Sequence, residues 1–345
     1  MIIIAERFIK KIMSNSLYNR SNSCWITWHF STRSRNLAET LSVPLYELSI
    51  ENNIIWRHLG SSLWTIWILL KTRPKIIYLQ NSFLLLFIVV LYKWLRFNKV
   101  MIICDCHTKS LRRVALGMFN YIFWPIKQIC FKCVNLTIIS NKDLIKDIIK
   151  LNSNFFILPD KIPSLKFIED NAKDGKYCVY ISSFAVDEPF NELFDVARIL
   201  GNEIKLFWTG KAPNGINVLL NKPSNLLFTG YLNDETYLKL IGNADCVLAL
   251  TTEGECLQCG AFEALSLSVP MVLTDTYQLK QYFGSAAVYT NHSPENIAKS
   301  ITYAIDNKYR LKKEIDRIKD IKKVEFMNLL NNLKLCIERE IEVYS

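Results

Sequence analysis

Residues 251–275, "TTEGECLQCGAFEALSLSVPMVLTD", follow an apolar run, "DCVLAL" (245–250), that reads as a strand ending at Leu250. The spacing predicts a loop over 251–259, a helix over 260–267 and a second strand over "VPMVLT" (269–274). Strand, loop, helix and strand in so short a span make a βαβ unit, whose strands lie parallel in a buried sheet. The loop enters a helix N-terminus, where backbone N–H groups and the positive end of the dipole favour an anion. Gly260 is expected to let the backbone approach a ligand closely. Glu263, about one turn inside the helix, can accept hydrogen bonds from both hydroxyls of a ribose. Glu255 can do the same for sugar hydroxyls. The competing role of Glu263 is to complement the helix dipole.

The same rhythm extends in both directions. Upstream, strands are predicted at 24–29, 44–49, 75–80, 99–106, 135–140 and 154–159, with helices at 31–42, 58–72, 83–96, 111–133 and 142–151. Ser31 or Thr32 stands where the first helix needs a cap. The stretch 160–176 breaks the pattern with Pro163, Gly175 and mixed charge, and reads as a linker. Beyond it, strands recur at 177–182, 204–209, 225–230, 245–250, 269–274 and 286–290. Helices lie between them, and a charged helix or helix pair fills 308–343. The expected class is α/β, with a domain over 1–160, a linker over 161–176, a second domain over 177–307 and a C-terminal helical segment over 308–345. Each doubly wound sheet has a switch point outside the carboxyl ends of its strands, where ligands sit.

The bulk numbers agree. The chain has 345 residues, 50% of them hydrophobic and 21% charged, which suits two globular domains and excludes disorder. The formal charge of +10 fits nucleic acid, an anionic lipid surface or a phosphorylated ligand, with a solvated basic surface as the alternative. Ten cysteines at low density, without a cleavable leader in "MIIIAERFIKKIM", suggest reduced thiols in a cytoplasmic protein. The two C-x-x-C pairs, Cys130/Cys133 and Cys256/Cys259, lie too far apart for a zinc ribbon, so no metal is expected, and no disulfide is expected between Cys256 and Cys259 because a ligand loop needs its backbone free. No span is long enough to cross a bilayer. The apolar helix 83–96 and the Trp- and Lys-rich stretch 56–75 are candidates for an anionic membrane surface, with core packing as the alternative. Neither G-x-G-x-x-G nor G-x-x-x-x-G-K-[ST] occurs.

The run Glu255, seven residues, Glu263-Ala264-Leu265, then Val269-Pro270-Met271-Val272 and Asp275 resembles the donor-site signature of GT-B nucleotide-sugar glycosyltransferases of the family 4 type. "LLFTGYLNDETYLKLIGNADCVLALTT" (226–252) is similar to the segment that precedes it in that family. The resemblance implies two Rossmann-like domains facing across a cleft, and a nucleoside-diphosphate sugar as donor. It implies that Glu255 meets the donor sugar, that Cys256, Leu257, Gln258, Cys259 and Gly260 offer N–H groups to sugar and diphosphate, and that Glu263 holds the ribose. The base is placed near Gly230 and Tyr231. "CDCHTKSLRR" (104–113) resembles the strand end where the family carries a histidine that reaches the donor sugar, which implies that role for His107, beside Asp105. No metal or other cofactor and no nucleic acid are implied.

Two departures stand out. The family's G-F-G-L is here Cys256-Leu257-Gln258-Cys259. Its Arg and Lys after the first strand of the second domain are replaced by "SSFAVDEPFNELF", where Asp187-Glu188-Pro189 reads as a helix cap. Diphosphate neutralisation then falls to Lys211, with Lys109, Arg112 and Arg113 as further candidates. An inverting enzyme needs a general base, for which Asp105 is the candidate; the resemblance leans to a retaining enzyme, whose leaving phosphate takes the proton. His29, Arg33 and Arg35 end the first strand and are candidates for an anionic or lipid-linked acceptor. The expected function is glycosyl transfer onto a glycan or lipid-linked acceptor in surface polysaccharide biosynthesis, lipopolysaccharide or capsule, in the cytoplasm or at the inner face of the membrane. The alternatives are an inactive scaffold that partners an active transferase, or a nucleotide-sugar epimerase on the same fold.

Overall fold

The computed structural model describes residues 22–49, 54–106, 123–152, 154–170, 175–211, 222–254 and 256–344. The chain divides into two compact units, one of residues 1–161 with 326–345, the other of 162–325.

In the first unit the order is β1 (Ser23–Thr27), α1 (Thr32–Thr40), β2 (Leu45–Glu47), α2 (Ile54–Thr72), β3 (Ile76–Gln80), α3 (Phe83–Leu95) and β4 (Met101–Cys106). After it come α4 (Trp124–Lys132), β5 (Leu136–Ile139), a 3₁₀ turn, α5 (Ile145–Ile148) and β6 (Phe155–Ile157). Ser31 caps α1, its hydroxyl accepting from the Ser34 N–H at 3.2 Å. The strands pair in parallel in the order β2-β1-β3-β4-β5-β6. Alternate side chains feed two cores. Cys24, Ile26 and Ile102 face Ile68 of α2, Leu85, Leu86 and Val89 of α3, and Phe131 of α4. Trp25, Tyr78 and Ile103 face the other way, with Trp25 stacked on Tyr78 at 5.4 Å. The apolar run at 83–91 is thus largely core, as burial of its Leu and Val side chains requires.

The second unit holds β7 (Lys176–Tyr180), α6 (Glu192–Leu200), β8 (Ile204–Thr209), β9 (Leu226–Gly230), α7 (Asp234–Gly242) and β10 (Cys246–Ala249). It continues with α8 (Cys259–Leu267), β11 (Met271–Thr274), α9 (Tyr277–Phe283), β12 (Val288–Thr290) and α10 (Pro294–Asp306). Its parallel sheet runs β12-β11-β10-β7-β8-β9, the strand order of dinucleotide-binding sheets. Val179, Val247 and Met271 pack under α7, α8 and α9, while Cys178, Leu206 and Leu248 pack under α6 and α10. Much of the stretch expected as a linker belongs to this unit. Ile162 is buried in its core, and the Ser266 hydroxyl donates to Pro163 O at 2.6 Å.

The C-terminal segment is one helix, α11 (Lys308–Tyr344). It is not a separate element. Leu311 and Ile315 enter the second unit's cores, and Phe326, Leu330, Leu333 and Ile337 enter the first unit's.

Arg33 lies inside the first unit, contrary to its expected place at an acceptor site. Its guanidinium donates to both oxygens of Asp105 at 3.0 and 3.1 Å, to Asp160 at 2.8 Å and to Leu158 O at 2.8 Å. Burial works against its charge, but Asp105 and then Asp160 outweigh that and hold the guanidinium firmly protonated. The network ties α1, β4 and the chain after β6 together. Arg33→Met should lower stability by about 3–5 kcal/mol, because the buried Asp105 would lose its partner. Arg35, more than half exposed in its pair with Glu47, should tolerate the same change within about 1 kcal/mol. Urea denaturation of both variants measures the difference.

Candidate active site

The strand order of the second unit reverses between β7 and β10, and the loops that leave these strands meet there. Asp187, in the loop after β7, accepts from the Thr251 hydroxyl at 2.9 Å through Oδ2. Its backbone oxygen accepts from the Thr252 N–H at 2.7 Å. Glu188 turns back on the strand end. It accepts from the Ser182 hydroxyl at 2.5 Å and from the Ser183 hydroxyl and N–H at 2.9 and 3.0 Å. The expectation of a helix cap at Asp187-Glu188 is therefore corrected. The helix begins at Glu192 after Asn191, and both carboxylates clamp loops. Phe184 turns the backbone through a left-handed conformation (φ 57°) and stacks on Trp208 at 5.2 Å.

The loop after β10 leads to the N-terminus of α8. Gln258 stands at the cap position, yet its side chain does not cap the helix. Its amide nitrogen donates to Leu250 O at 2.6 Å, and its Oε1 is buried with no partner among the described residues. The first turn of α8 carries no acidic side chain. Its N-terminal N–H groups and dipole are thus not neutralised by a side chain of the helix itself, the condition for anion binding. Cys256 is half-buried, Leu257 packs against the core, and Cys259 is exposed. Gly260 faces the sheet. A Cβ there would stand 3.0 Å from Cγ2 of Ile181. The residue is glycine so that α8 can lie against the end of β7, a packing reason beside the expected approach to a ligand.

Glu263 projects from the second turn of α8 and accepts from the Tyr237 hydroxyl of α7 at 2.5 Å through Oε2. Burial raises its pKa above the ordinary value of 4.5, and the Tyr237 hydrogen bond partly offsets that. The Tyr237 hydroxyl is itself held protonated by burial and by the neighbouring carboxylate. Oε1 of Glu263 has no hydrogen-bond partner among the described residues, which leaves an acceptor for a ligand hydroxyl.

Lys211 follows β8 through Gly210, whose φ is 100° and whose missing Cβ would stand 2.3 Å from Ser182 O. Only glycine fits there, so the exit of β8 is drawn against the exit of β7. Lys211 is exposed and makes no ion pair among the described residues. Gly230 closes β9 with φ 66°, and Tyr231 beyond it is 84% exposed. These residues and Glu263 all lie in the second unit.

The first unit presents a different picture. Asp105, the candidate base, is 1% exposed and fixed by Arg33, so it lacks the open approach that a proton acceptor for an acceptor hydroxyl needs. His29 is exposed just after β1. Partial burial, then Arg57 and His58, keep its imidazole below the ordinary histidine value. Arg35 pairs with Glu47 at 2.7 Å and lies over the Phe30 ring. His107, Glu255, Lys109, Arg112 and Arg113 lie outside the described residues. Among the described residues no group of three or more His, Cys, Asp or Glu side chains is placed to hold a metal ion.

Sequence reasoning missed Tyr237 and the Thr251–Asp187 latch, and it singled out Gln258 for its backbone N–H but not for its side chain. Tyr237 carries a weak signal, an aromatic one turn into a helix after a G-x-L strand end, but its partner is 26 residues away. The latch carries none, because it joins two loops 64 residues apart.

Residues 161–323 match the profile of the family described as Glycosyl transferases group 1. Among curated protein sequences there is no match. Solved structures resemble the chain at low identity. HepE of Anabaena, solved in complex with UDP-glucose, is 12% identical with a TM-score of 0.66, covering 91% of this chain and 91% of that one. A putative UDP-N-acetylglucosamine 2-epimerase from Listeria monocytogenes is 10% identical at 0.63, covering 93% and 97%. A glycosyltransferase from Rickettsia africae is 12% identical at 0.61, covering 93% and 90%. The chain accordingly has the GT-B fold, and its residues 161–323 are similar to the glycosyl transferases group 1 family.

Proposed function

We propose that the protein transfers a glycosyl unit from a nucleoside-diphosphate sugar to a glycan or lipid-linked acceptor, and that the donor binds at the carboxyl end of the second unit's sheet. The observation that carries this reading is Glu263, held by Tyr237 with one oxygen left over, in a helix whose N-terminus carries no side-chain cap. The free oxygen suits a ribose hydroxyl, and the 256–260 backbone suits the diphosphate. Breaking the bond between the anomeric carbon and the diphosphate builds negative charge on the leaving group, where helix N–H groups stabilise it. Lys211 supplies the positive charge that the clamped Asp187-Glu188 segment does not. Gly230 and Tyr231 flank the base, and His107 and Glu255 meet the donor sugar. His29 and Arg35 contribute to the acceptor site.

The Arg33 pair makes Asp105 a positioning residue for the end of β4, which favours retaining chemistry, with the leaving phosphate as proton acceptor. A glycan or lipid-linked acceptor fits a role in surface polysaccharide biosynthesis. The inactive-scaffold reading keeps one supporting observation, the carboxylates where the family carries basic side chains.

Calorimetry tests the reading. Nucleoside diphosphates should bind, and no binding at all would leave the scaffold. Glu263→Gln should weaken donor binding at least about tenfold, while a 2′,3′-dideoxy nucleotide should bind both forms alike. Lys211→Ala should weaken diphosphate binding more than nucleoside binding, by about 1.5–3 kcal/mol.

Stability supplies an independent check at Glu263. Its folded pKa is raised, so the unfolded chain releases the proton first as pH rises. The fold therefore loses stability between the ordinary carboxylate value and the raised one. Glu263→Gln should melt no earlier than wild type at pH 7, and its advantage should vanish as pH falls below the ordinary value of 4.5. Thermal melts across that range measure it, and a much earlier melt of the variant with normal nucleotide binding would make Glu263 structural.

A further inference from the structure

Helix α2 turns an apolar face outward as well as inward. Trp56, Leu59, Leu63, Ile66, Trp67 and Leu70 are all exposed, Trp56 to 66% and Leu63 to 61%. At 100° per residue they fall within about 100° of the helix circumference, a single continuous face. The opposite face is mixed: Ser61 and Thr65 are buried beside Ile68 and Leu69, and Thr65 accepts from the Trp28 indole N–H at 2.9 Å. A helix at a protein–water boundary keeps its outward face polar. The outward face therefore suits an apolar medium.

Charge identifies the medium. Residues 52–104 contain no Asp or Glu and seven Lys or Arg, in a chain whose whole net charge is +10. Lys71, Arg73 and Lys75 cluster where α2 ends, and Lys71 lies over the Trp67 ring at 4.6 Å. Trp94, Leu95 and Phe97, with Arg96 and Lys99, are exposed at the end of the neighbouring α3. Indole rings, aliphatic side chains and a rim of one charge sign are the chemistry of the headgroup layer of an anionic bilayer. Among the described residues no helix is long and apolar enough to cross a membrane, so the contact lies in the plane of the surface.

We propose that α2 lies on an anionic lipid surface, with its Trp56–Leu70 face among the headgroups and the basic residues at its end on lipid phosphates. This stands independently of glycosyl transfer. The test is co-sedimentation of the purified full chain with phosphatidylcholine vesicles, with and without phosphatidylglycerol. The chain should bind the anionic vesicles, and high salt should weaken that binding. The pair Leu63→Glu and Trp67→Glu should reduce it at least about tenfold, and Lys71→Gln with Arg73→Gln should reduce it about fivefold per charge. The exposed positions leave the melting temperature unchanged, which separates loss of binding from loss of fold. Failure to bind anionic vesicles, or equal binding by the variants, overturns the proposal. So does a concentration-dependent dimer that Leu63→Glu dissociates in a chain that ignores vesicles.

Discussion

A Cβ at position 260 would stand 3.0 Å from the side chain of Ile181, at the carboxyl end of the second unit's first strand. That contact sets how near α8 comes to the switch point. Its N-terminal N–H groups, its backbone entry loop and Glu263 are all carried on the same rigid element. Ala261, Ala264 and Leu265 then lock the helix by burial on the sheet, next to Ile241 of α7. Because α7 is fixed in the same core, Tyr237 meets Glu263 from the side. One missing methyl group and the apolar packing around it thus decide where the carboxylate stands, and the site inherits its geometry from the core.

The strands were legible because parallel strands buried on both faces are short apolar runs, and little else in the chain looks like that. β4, "MIICDC", is buried at all six positions, so Asp105 hides within an apolar signal. The candidate site was partly legible as a local arrangement, because the spacing of Glu263 from the following strand is a property of one βαβ unit. Arg33 was not. An arginine in the first turn of a helix looks like surface charge, and only the non-local arrival of Asp105 and Asp160 explains why it is inside. Asp187-Glu188-Pro189 misled for a related reason. The triplet has the chemistry of a helix start, but the hydroxyls of Ser182, Ser183 and Thr251 compete for both carboxylates and win.

Glu188 has a second effect on the site. The hydroxyls and N–H group at the end of β7 are donors of the kind that receive phosphate oxygens in nucleotide-binding sheets, and here a protein carboxylate takes them. The loop is preorganised, with Phe184 fixed on Trp208, but its preorganised polarity is spent internally. The α8 N-terminus across the switch point is left as the principal backbone source of positive potential.

The long C-terminal helix has a consequence for the order in which the protein comes into being. Phe326, Leu330, Leu333 and Ile337 cover part of the face of the first sheet that holds Trp25, Tyr78, Ile103 and Ile138. On a ribosome the chain emerges from its N-terminus, so those strands are made first and their cover is made last. The second unit, contiguous in sequence, has all its own parts available earlier than the first unit does. The usual vectorial order, N-terminal domain first, is therefore inverted at its final step. Until the last turns of α11 arrive, the nascent first sheet holds apolar surface open to solvent.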